Sequence, residues 1–584
     1  MRVLGIDVGG TFTDAVLFHD GEVRSAKVTT AVRQEESVVA AAQAVGAAAV
    51  DRFTHGTTVA TNALLERKGA RTAFVTNEGF EHLLHLRRQN RASLYRLCRA
   101  HPEPLVPLDR CVGVRGRMGP WGELMPLELD SLPELDADAV AICLLHAYRD
   151  PSHERAVARE VRRRLPAAHV VSSHEIAPEF REYERASTTA IDAYLGPAVS
   201  RYLRALAERC VDAGLPAPLV MRSSGGVAEL EEAAAHPAVA LVSGPAAGVV
   251  GAARVARLAG YENAISFDMG GTSTDVCLIV GGAAARTAER DVGGFPVRLP
   301  SVDLHTVGAG GGSIVRRDAG GALHVGPESA GADPGPACYG RGGTSPTVTD
   351  ANLLLGRLPP RLAGGIALDA AAAASAFAGI DPAEALAVVN AEMLRALRLV
   401  SVEHGRDPRD FALVAFGGAG PLHACALADE LEMRTVLVPD AAGVLSALGL
   451  VASDERRDRV RSYIVPLRQA GELPHEGEAD LRYVGQSFEL TVPLQLELEE
   501  AFHRAHEERY GYADREREVE LVAVRTADVN PAPPFELPPG EPLRATGPAV
   551  IELDGSTCWL PPGWVGARDG PTLVLTKERL IRTR

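Results

Sequence analysis

The sequence predicts an α/β protein of two related lobes followed by a small β-rich C-terminal module, and three observations carry this. The pattern Asp-x-Gly-Gly-Thr-x-Thr-Asp occurs twice, at Asp7–Asp14 and again at Asp268–Asp275. Each copy lies between two short strand-type runs, Val3 to Ile6 and Ala15 to Phe18, then Ala264 to Phe267 and Val276 to Val280. Strand, Gly-Gly turn and Thr-alternating strand is the grammar of a β-hairpin. Finally, 584 residues exceed what one hydrophobic core supports, and a repeat this widely spaced indicates a duplicated domain rather than a solenoid.

Residues 1–180 read as a first lobe of alternating strands and helices: a strand at 71–76, an amphipathic helix at 79–86, a buried strand at 139–145 and a helix at 153–165. Residues 181–455 read as a second lobe. Helical signal fills 182–206, a strand at 219–221 stops at Arg222-Ser-Ser-Gly-Gly226, and Gly244-Pro-Ala-Ala-Gly248 opens a small-residue helix before the second repeat. Helices follow at 370–377 and 384–399, and the strand 412–416 runs into Gly417-Gly418-Ala419-Gly420. Past 455 the chain turns Arg-rich, then alternating, so 475–584 reads as a separate β-rich module.

Composition removes several functional classes. A net charge of −16 argues against binding a nucleic-acid backbone. Lysine occurs only as Lys27, Lys68 and Lys577, so there is no Gly-Lys-Ser/Thr phosphate loop and almost no Schiff-base candidate. The eight cysteines form no Cys-x-x-Cys pair and read as buried thiols of a reducing compartment. The longest uncharged apolar run, 237–253, is broken by Pro245 and glycines and makes a poor membrane span. The expected location is cytoplasmic, with no membrane partner.

A glycine turn lets backbone N–H groups approach phosphate oxygens, while hydroxyls and a carboxylate complete a phosphate and Mg²⁺ site. The expected cradle is Gly9, Gly10, Thr11 and Thr13 facing Gly270, Gly271, Thr272, Ser273 and Thr274. Thr11 and Thr272, directly after the glycines, are the better pair, since threonine also suits strands for its own sake. Gly417, Gly418 and Ala419 suit a turn over which a purine slides. The run Val307–Ser313, with Gly310 and Gly311 at its centre, reads either as an anion nest or as a hinge. Asp303 and His305 read either as metal ligands or, as is commoner for an Asp-x-His on a strand, as a hydrogen-bonded polar pair, and they are left out of the expected metal set.

These motifs, together with His55-Gly-Thr-Thr-Val-Ala-Thr-Asn62, Ser243–Gly248, Gly331–Pro336 and Arg482-Tyr-Val-Gly-Gln486, resemble the hydantoinase A / 5-oxoprolinase family from residue 1 to about 525. The resemblance implies the actin-like ATPase fold, with two RNase-H-like lobes around ATP and Mg²⁺. It also implies ATP-dependent phosphorylation of a cyclic amide such as a hydantoin or 5-oxoproline, completed by a hydantoinase B-type subunit. The chain looks shorter than the family's A component, trimmed after about 455. On this reading Asp7 and Asp268 hold Mg²⁺ through water, and Asp268 or Asp14 orients or deprotonates the attacking group. Asn62, Arg88 and Arg91 are the expected substrate contacts, and Tyr483 with Tyr510 to Tyr512 the expected docking surface. The alternatives are the ATP-using subunit of an acetone- or acetophenone-type carboxylase acting on a ketone, and a non-catalytic nucleotide switch.

Overall fold

The structure, a computed structural model, describes residues 1–362, 366–568 and 570–578. Strand Arg2–Val8 runs antiparallel to Phe12–His19, which runs antiparallel to Glu22–Thr29. On its other side Arg2–Val8 pairs in parallel with Arg52–Thr57, and that strand with Leu219–Met221. The second lobe repeats the plan. Ala264–Met269 is antiparallel to Thr274–Val280, which takes Leu304–Val307 outside it, while Ala412–Phe416 and Thr435–Pro439 follow in parallel on the other side. Two sheets with the same order, three antiparallel strands and then two parallel ones, make the paired-lobe arrangement of the actin-like ATPases. Parallel strands need both faces covered, and Leu4, Ile6, Ile265 and Phe267 are fully buried accordingly.

Two helices fill the seam between the lobes, Ser243–Leu258 and Leu445–Val451. Their closeness explains the small-residue composition seen in the sequence. A Cβ on Gly449 would stand 1.9 Å from the Ala247 carbonyl, and one on Gly5 would stand 2.3 Å from the Ala447 carbonyl. A further five-stranded sheet, in the order Gly122–Glu128, Cys111–Gly119, Thr72–Asn77, Ala139–Ile142, His169–Ser172, hangs on the first lobe. The long helix Glu182–Asp212 packs against it.

Four sequence expectations change. Residues 79–86 are mostly turn, and only Leu83–Leu86 is helical. Gly79 sits at φ 88° and its N–H donates to the Glu81 carboxylate, which closes a turn where a helix was expected. The strand at 139 ends at Ile142 because the Leu144 N–H is taken by the buried Glu154 carboxylate at 2.8 Å. The C-terminal region is β-rich but does not stand apart. Glu478–Tyr483, Leu490–Pro493 and Val519–Asn530 extend the first lobe's sheet through Glu455–Pro466. Thr572–Lys577, Trp564–Arg568 and Leu543–Thr546 extend the second lobe's sheet from Thr435–Pro439. Both central sheets would otherwise end in long unpaired edges. The first sheet also takes Leu219–Met221 and Val227–Ala228, so the division expected near residue 180 does not coincide with it. Residues 569 and 579–584 of that module lie outside the described residues.

Candidate active site

The two repeats fold as matched hairpins. In the first, Asp7 stands opposite Asp14 and the Gly9 N–H closes the turn onto the Phe12 carbonyl at 3.0 Å. In the second, Asp268 stands opposite Asp275 and the Gly270 N–H closes onto the Ser273 carbonyl at 3.0 Å. Cross-strand partners share a face of the sheet, so each lobe presents two carboxylates side by side at its hairpin.

These carboxylates are not at ease. Burial, then the charge of Asp14, raises Asp7 to about 7, with Lys27 partly offsetting it. Burial raises Asp268 to about 8, with Asp275, Asp7 and Asp14 adding to the rise in that order. The charges of Asp7 and Asp14 act on Asp268, so the first lobe's carboxylates reach that of the second. Among the described residues Asp7 Oδ1 is buried with no hydrogen-bond partner. An orphaned, desolvated carboxylate oxygen is costly unless it meets a cation or a donor. A Mg²⁺ ion, which keeps most of its waters and binds through one or two carboxylates plus phosphate, fits this donor set.

Glycines make the space. A Cβ on Gly56 would stand 2.5 Å from Asp7 Oδ1, and one on Gly244 would stand 3.3 Å from it. Gly244 lies in the first turn of helix Ser243–Leu258, so that helix N-terminus, the positive end of its dipole, abuts Asp7. Ser243 anchors it by donating its hydroxyl to the Thr57 carbonyl at 2.8 Å. In the other lobe Gly417, at φ 79°, would place a Cβ 2.4 Å from Asp268 Oδ1. Around Gly10, Gly271 and Gly418 a Cβ would meet nothing within 4 Å, so the tips of both hairpins and of the third turn border open space.

The structure separates the expected cradle residues into two groups. Thr11, Thr272 and Ser273 retain exposure at the hairpin tips. Thr13 and Thr274 are fully buried: Thr13 Oγ1 meets Thr30 Oγ1 at 3.0 Å, and Thr274 donates to the Ala309 carbonyl at 2.6 Å. Their hydroxyls brace the hairpins instead of facing the cleft. The amides of the Gly310–Gly311 run are bonded within the protein and do not form an anion nest. The Gly310 N–H is spent on Ser313 Oγ at 2.8 Å and the Gly311 N–H on the Gly270 carbonyl at 3.0 Å. A Cβ on Gly310 would stand 2.6 Å from the backbone of Gly271 and Thr272. This run is a backbone splint pressed onto the second hairpin. Ala419 does the same from the other side, donating its N–H to the Met269 carbonyl at 2.9 Å.

Of the expected substrate contacts, Asn62 touches Thr58 Oγ1 at 3.3 Å, beside the first hairpin, through Thr58's bond to the Val8 carbonyl. Arg88 instead makes a bidentate ion pair with Glu184, at 2.7 and 2.5 Å, and Arg91 is exposed on the loop beyond it. The structure does not gather the three at one point. Tyr483 is no docking residue: it is fully buried, its hydroxyl between His503 Nδ1 at 2.9 Å and the Asp514 N–H at 2.8 Å. Tyr510 and Tyr512 are exposed. Sequence reasoning missed Gly56, Gly244 and Lys27 as parts of the site. The signal for the first two was their place inside His-Gly-Thr-Thr and Ser-Gly-Pro motifs, which reach Asp7 only through tertiary packing.

Fold and site together define a protein with the actin-like ATPase fold, each lobe presenting an acidic hairpin closely flanked by glycines. Residues 3–165 match the family model for the hydantoinase/oxoprolinase N-terminal region, and residues 185–459 the hydantoinase/oxoprolinase model. The chain belongs to the hydantoinase/oxoprolinase family. It is 34% identical to caprolactamase subunit alpha of Pseudomonas jessenii, over 96% of this chain and 97% of that one. The crystal structure of the ATP-dependent caprolactamase from that organism superposes with a TM-score of 0.85 at 32% identity, covering 98% of this chain and 100% of that one. Likeness therefore continues past residue 525, over an alignment of 675 positions against this chain's 584 residues, so this chain is the shorter of the two. The acetophenone carboxylase gamma subunit of Aromatoleum aromaticum is 35% identical over 76% of this chain and 67% of its own length. The 5-oxoprolinase 1 of Arabidopsis thaliana is 36% identical over 70% of this chain, which corresponds to 36% of that longer protein. No helix among the described residues is long and apolar enough to cross a membrane.

Proposed function

We propose that this chain is the ATP-using, A-type component of a two-component enzyme that activates a cyclic amide (a lactam, hydantoin or 5-oxoproline) for ring-opening hydrolysis. The observation that carries the reading is the pair of facing hairpins, with Asp7 left unpaired and Asp268 raised above neutrality. An amide carbonyl resists attack because resonance delocalises the nitrogen lone pair. ATP, when bound, supplies the phosphoryl group that turns the carbonyl oxygen into a leaving group. The chain's own part is positioning and charge neutralisation. Asp7, whose Oδ1 has no hydrogen-bond partner among the described residues, would hold a Mg²⁺ ion that neutralises phosphate charge. The backbones at Gly10, Thr11, Gly271 and Thr272 bound the phosphate space, and the open Gly418 turn takes the adenosine. Asp268, in its ionised form, takes the proton that the amide nitrogen gives up as the carbonyl oxygen attacks the terminal phosphate and ADP leaves.

Likeness to caprolactamase over nearly the whole of both chains favours the lactam class over the carboxylase, whose matching subunit is covered over about two thirds. Relatives named as subunits support a partner, and we assign that role to a B-type subunit that completes hydrolysis. The free thiols, seven of the eight buried, fit a cytoplasmic protein. The test is phosphate release and ring opening by the chain with its partner, Mg²⁺ and ATP, across lactams, hydantoins, 5-oxoproline and simple ketones with bicarbonate. Amide-dependent phosphate release coupled to ring opening is expected. Release that responds only to ketone and bicarbonate contradicts the reading.

A further inference from the structure

The cleft's charge balance holds one feature that neither hairpin symmetry nor folding explains. Asp14 on strand Phe12–His19 faces Lys27 on the neighbouring strand, and Lys27 Nζ lies 2.5 Å from Asp14 Oδ1. In the second lobe the equivalent carboxylate, Asp275, faces Thr306 on its outer strand, and Thr306 donates its hydroxyl to Asp275 Oδ1 at 2.5 Å. The two hairpins are otherwise built alike, yet Asp275 takes its hydrogen bond from a hydroxyl, with the Arg290 charge nearby but not hydrogen-bonded to it. The first lobe carries an ammonium instead, one of three lysines in a chain whose other basic residues are all arginine.

The surroundings fit a cation that can be shared. The Lys27 side chain keeps a third of its exposure. Its ammonium lies 5.5 Å from the centre of the Phe12 ring, at the tip of the first hairpin. A Cβ on Gly555 would be 3.8 Å from Lys27 Cε. Gly555 belongs to the turn between Ala549–Leu553 and Ser556–Leu560, whose Asp554 bonds Ser25 on the lysine's own strand and whose Ser556 donates to the Gly417 carbonyl at 2.9 Å. This turn therefore spans from the lysine strand of one lobe to the third glycine turn of the other. The charge of Lys27 lowers the pKa of Asp7, Asp14 and Asp268 alike, so it acts on both sides of the cleft. Asp554 adds a further negative charge beside Asp14. A compact ammonium on a flexible stem can move between a carboxylate and a phosphate oxygen in a way a planar guanidinium cannot.

We propose that Lys27 is a phosphate-contacting residue of the cleft, parked on Asp14 and available to the terminal phosphates of a bound nucleoside triphosphate. The inference rests on the nucleotide reading above. The experiment is calorimetric binding of Mg·ATP and of AMP to the full chain and to Lys27→Thr and Lys27→Arg, with thermal melts of each. Lys27→Thr, which supplies the hydroxyl that serves Asp275 but not the Arg290 charge near it, is expected to stay folded with a melt close to the parent's and to bind AMP unchanged. Its ATP affinity should fall by about tenfold to a hundredfold, the worth of one charged hydrogen bond, and Lys27→Arg should recover part of it. Equal ATP affinity in Lys27→Thr overturns the inference. So does a Lys27→Thr chain that loses stability, with an unchanged ATP-to-AMP preference in Lys27→Arg, since the lysine would then be a structural pin. A parent chain with no preference for ATP over AMP would instead overturn the nucleotide reading beneath it.

Discussion

At the scale of single residues, Asp7 and Asp268 tie stability to pH in an unusual direction. Their folded-state pKa values, about 7 and about 8, lie above the ordinary carboxylate value of 3.8. The folded chain therefore binds more protons than the unfolded one across that interval, and the stability they allow falls as pH rises from about 4 to about 8. It is fully present below the unfolded value and is lost through the folded one. The free chain should thus be less stable just above pH 8 than at pH 6, in urea denaturation without Mg²⁺ or nucleotide. Asp7→Asn should flatten that slope, because the amide has no charge to bury. A slope unchanged in the variant would mean that Asp7 is ionised at low cost. The residue types of this site were legible in the sequence, since two Asp-Gly-Gly-Thr copies name both carboxylates. Their perturbation was not, because it arises from Gly56, Gly244 and Gly417, which let backbone close on the carboxylates from remote parts of the chain.

At the scale of elements, the glycines divide by what a methyl group would meet. Gly271 is in open space, while Gly310 is pressed on the second hairpin's backbone. Gly271→Ala should therefore fold with near-parent stability and bind nucleotide poorly, its new methyl group occupying the phosphate side of the turn. Gly310→Ala should cost about 1–3 kcal/mol or more through overpacking, and it should lower nucleotide affinity by displacing the hairpin. Thermal melts beside calorimetric nucleotide titration separate the two, and equal losses of stability would contradict the division. Both hairpins and the strands at 219 and 412 could be read from apolar runs ending in glycine. The splint role of Gly310 and Gly311 could not, since a glycine run looks the same whether its amides face a ligand or a neighbouring strand. The inward turn of Thr13 and Thr274 was hidden for a related reason, because alternation along a strand leaves open which face looks into the cleft.

At the scale of the molecule, the C-terminal strands belong to both lobes, which no local pattern could reveal, because β-pairing partners are set by tertiary structure. Truncation after residue 539 should remove three strands from the second sheet and expose Thr435–Pro439 as an edge. The truncated chain is expected to be insoluble or to unfold at markedly lower temperature, whereas a separable module would leave a stable core of parent-like melting behaviour. The separate hairpin Ala549–Leu553 and Ser556–Leu560 carries the turn that bonds Ser25 of one lobe and Gly417 of the other, so the end of the chain helps to join its two lobes.

The central claim is that two hairpins from two lobes build one nucleotide-phosphate site around Asp7 and Asp268. Its most direct test is the rate of amide-dependent ATP hydrolysis by Asp7→Asn and Asp268→Asn, each assayed with the partner subunit after its fold and nucleotide binding have been verified. Each variant should lose turnover by about a hundredfold or more, the scale of one lost transition-state electrostatic contact, while remaining folded. Near-parent hydrolysis by either variant with nucleotide still bound would contradict a site shared between the lobes.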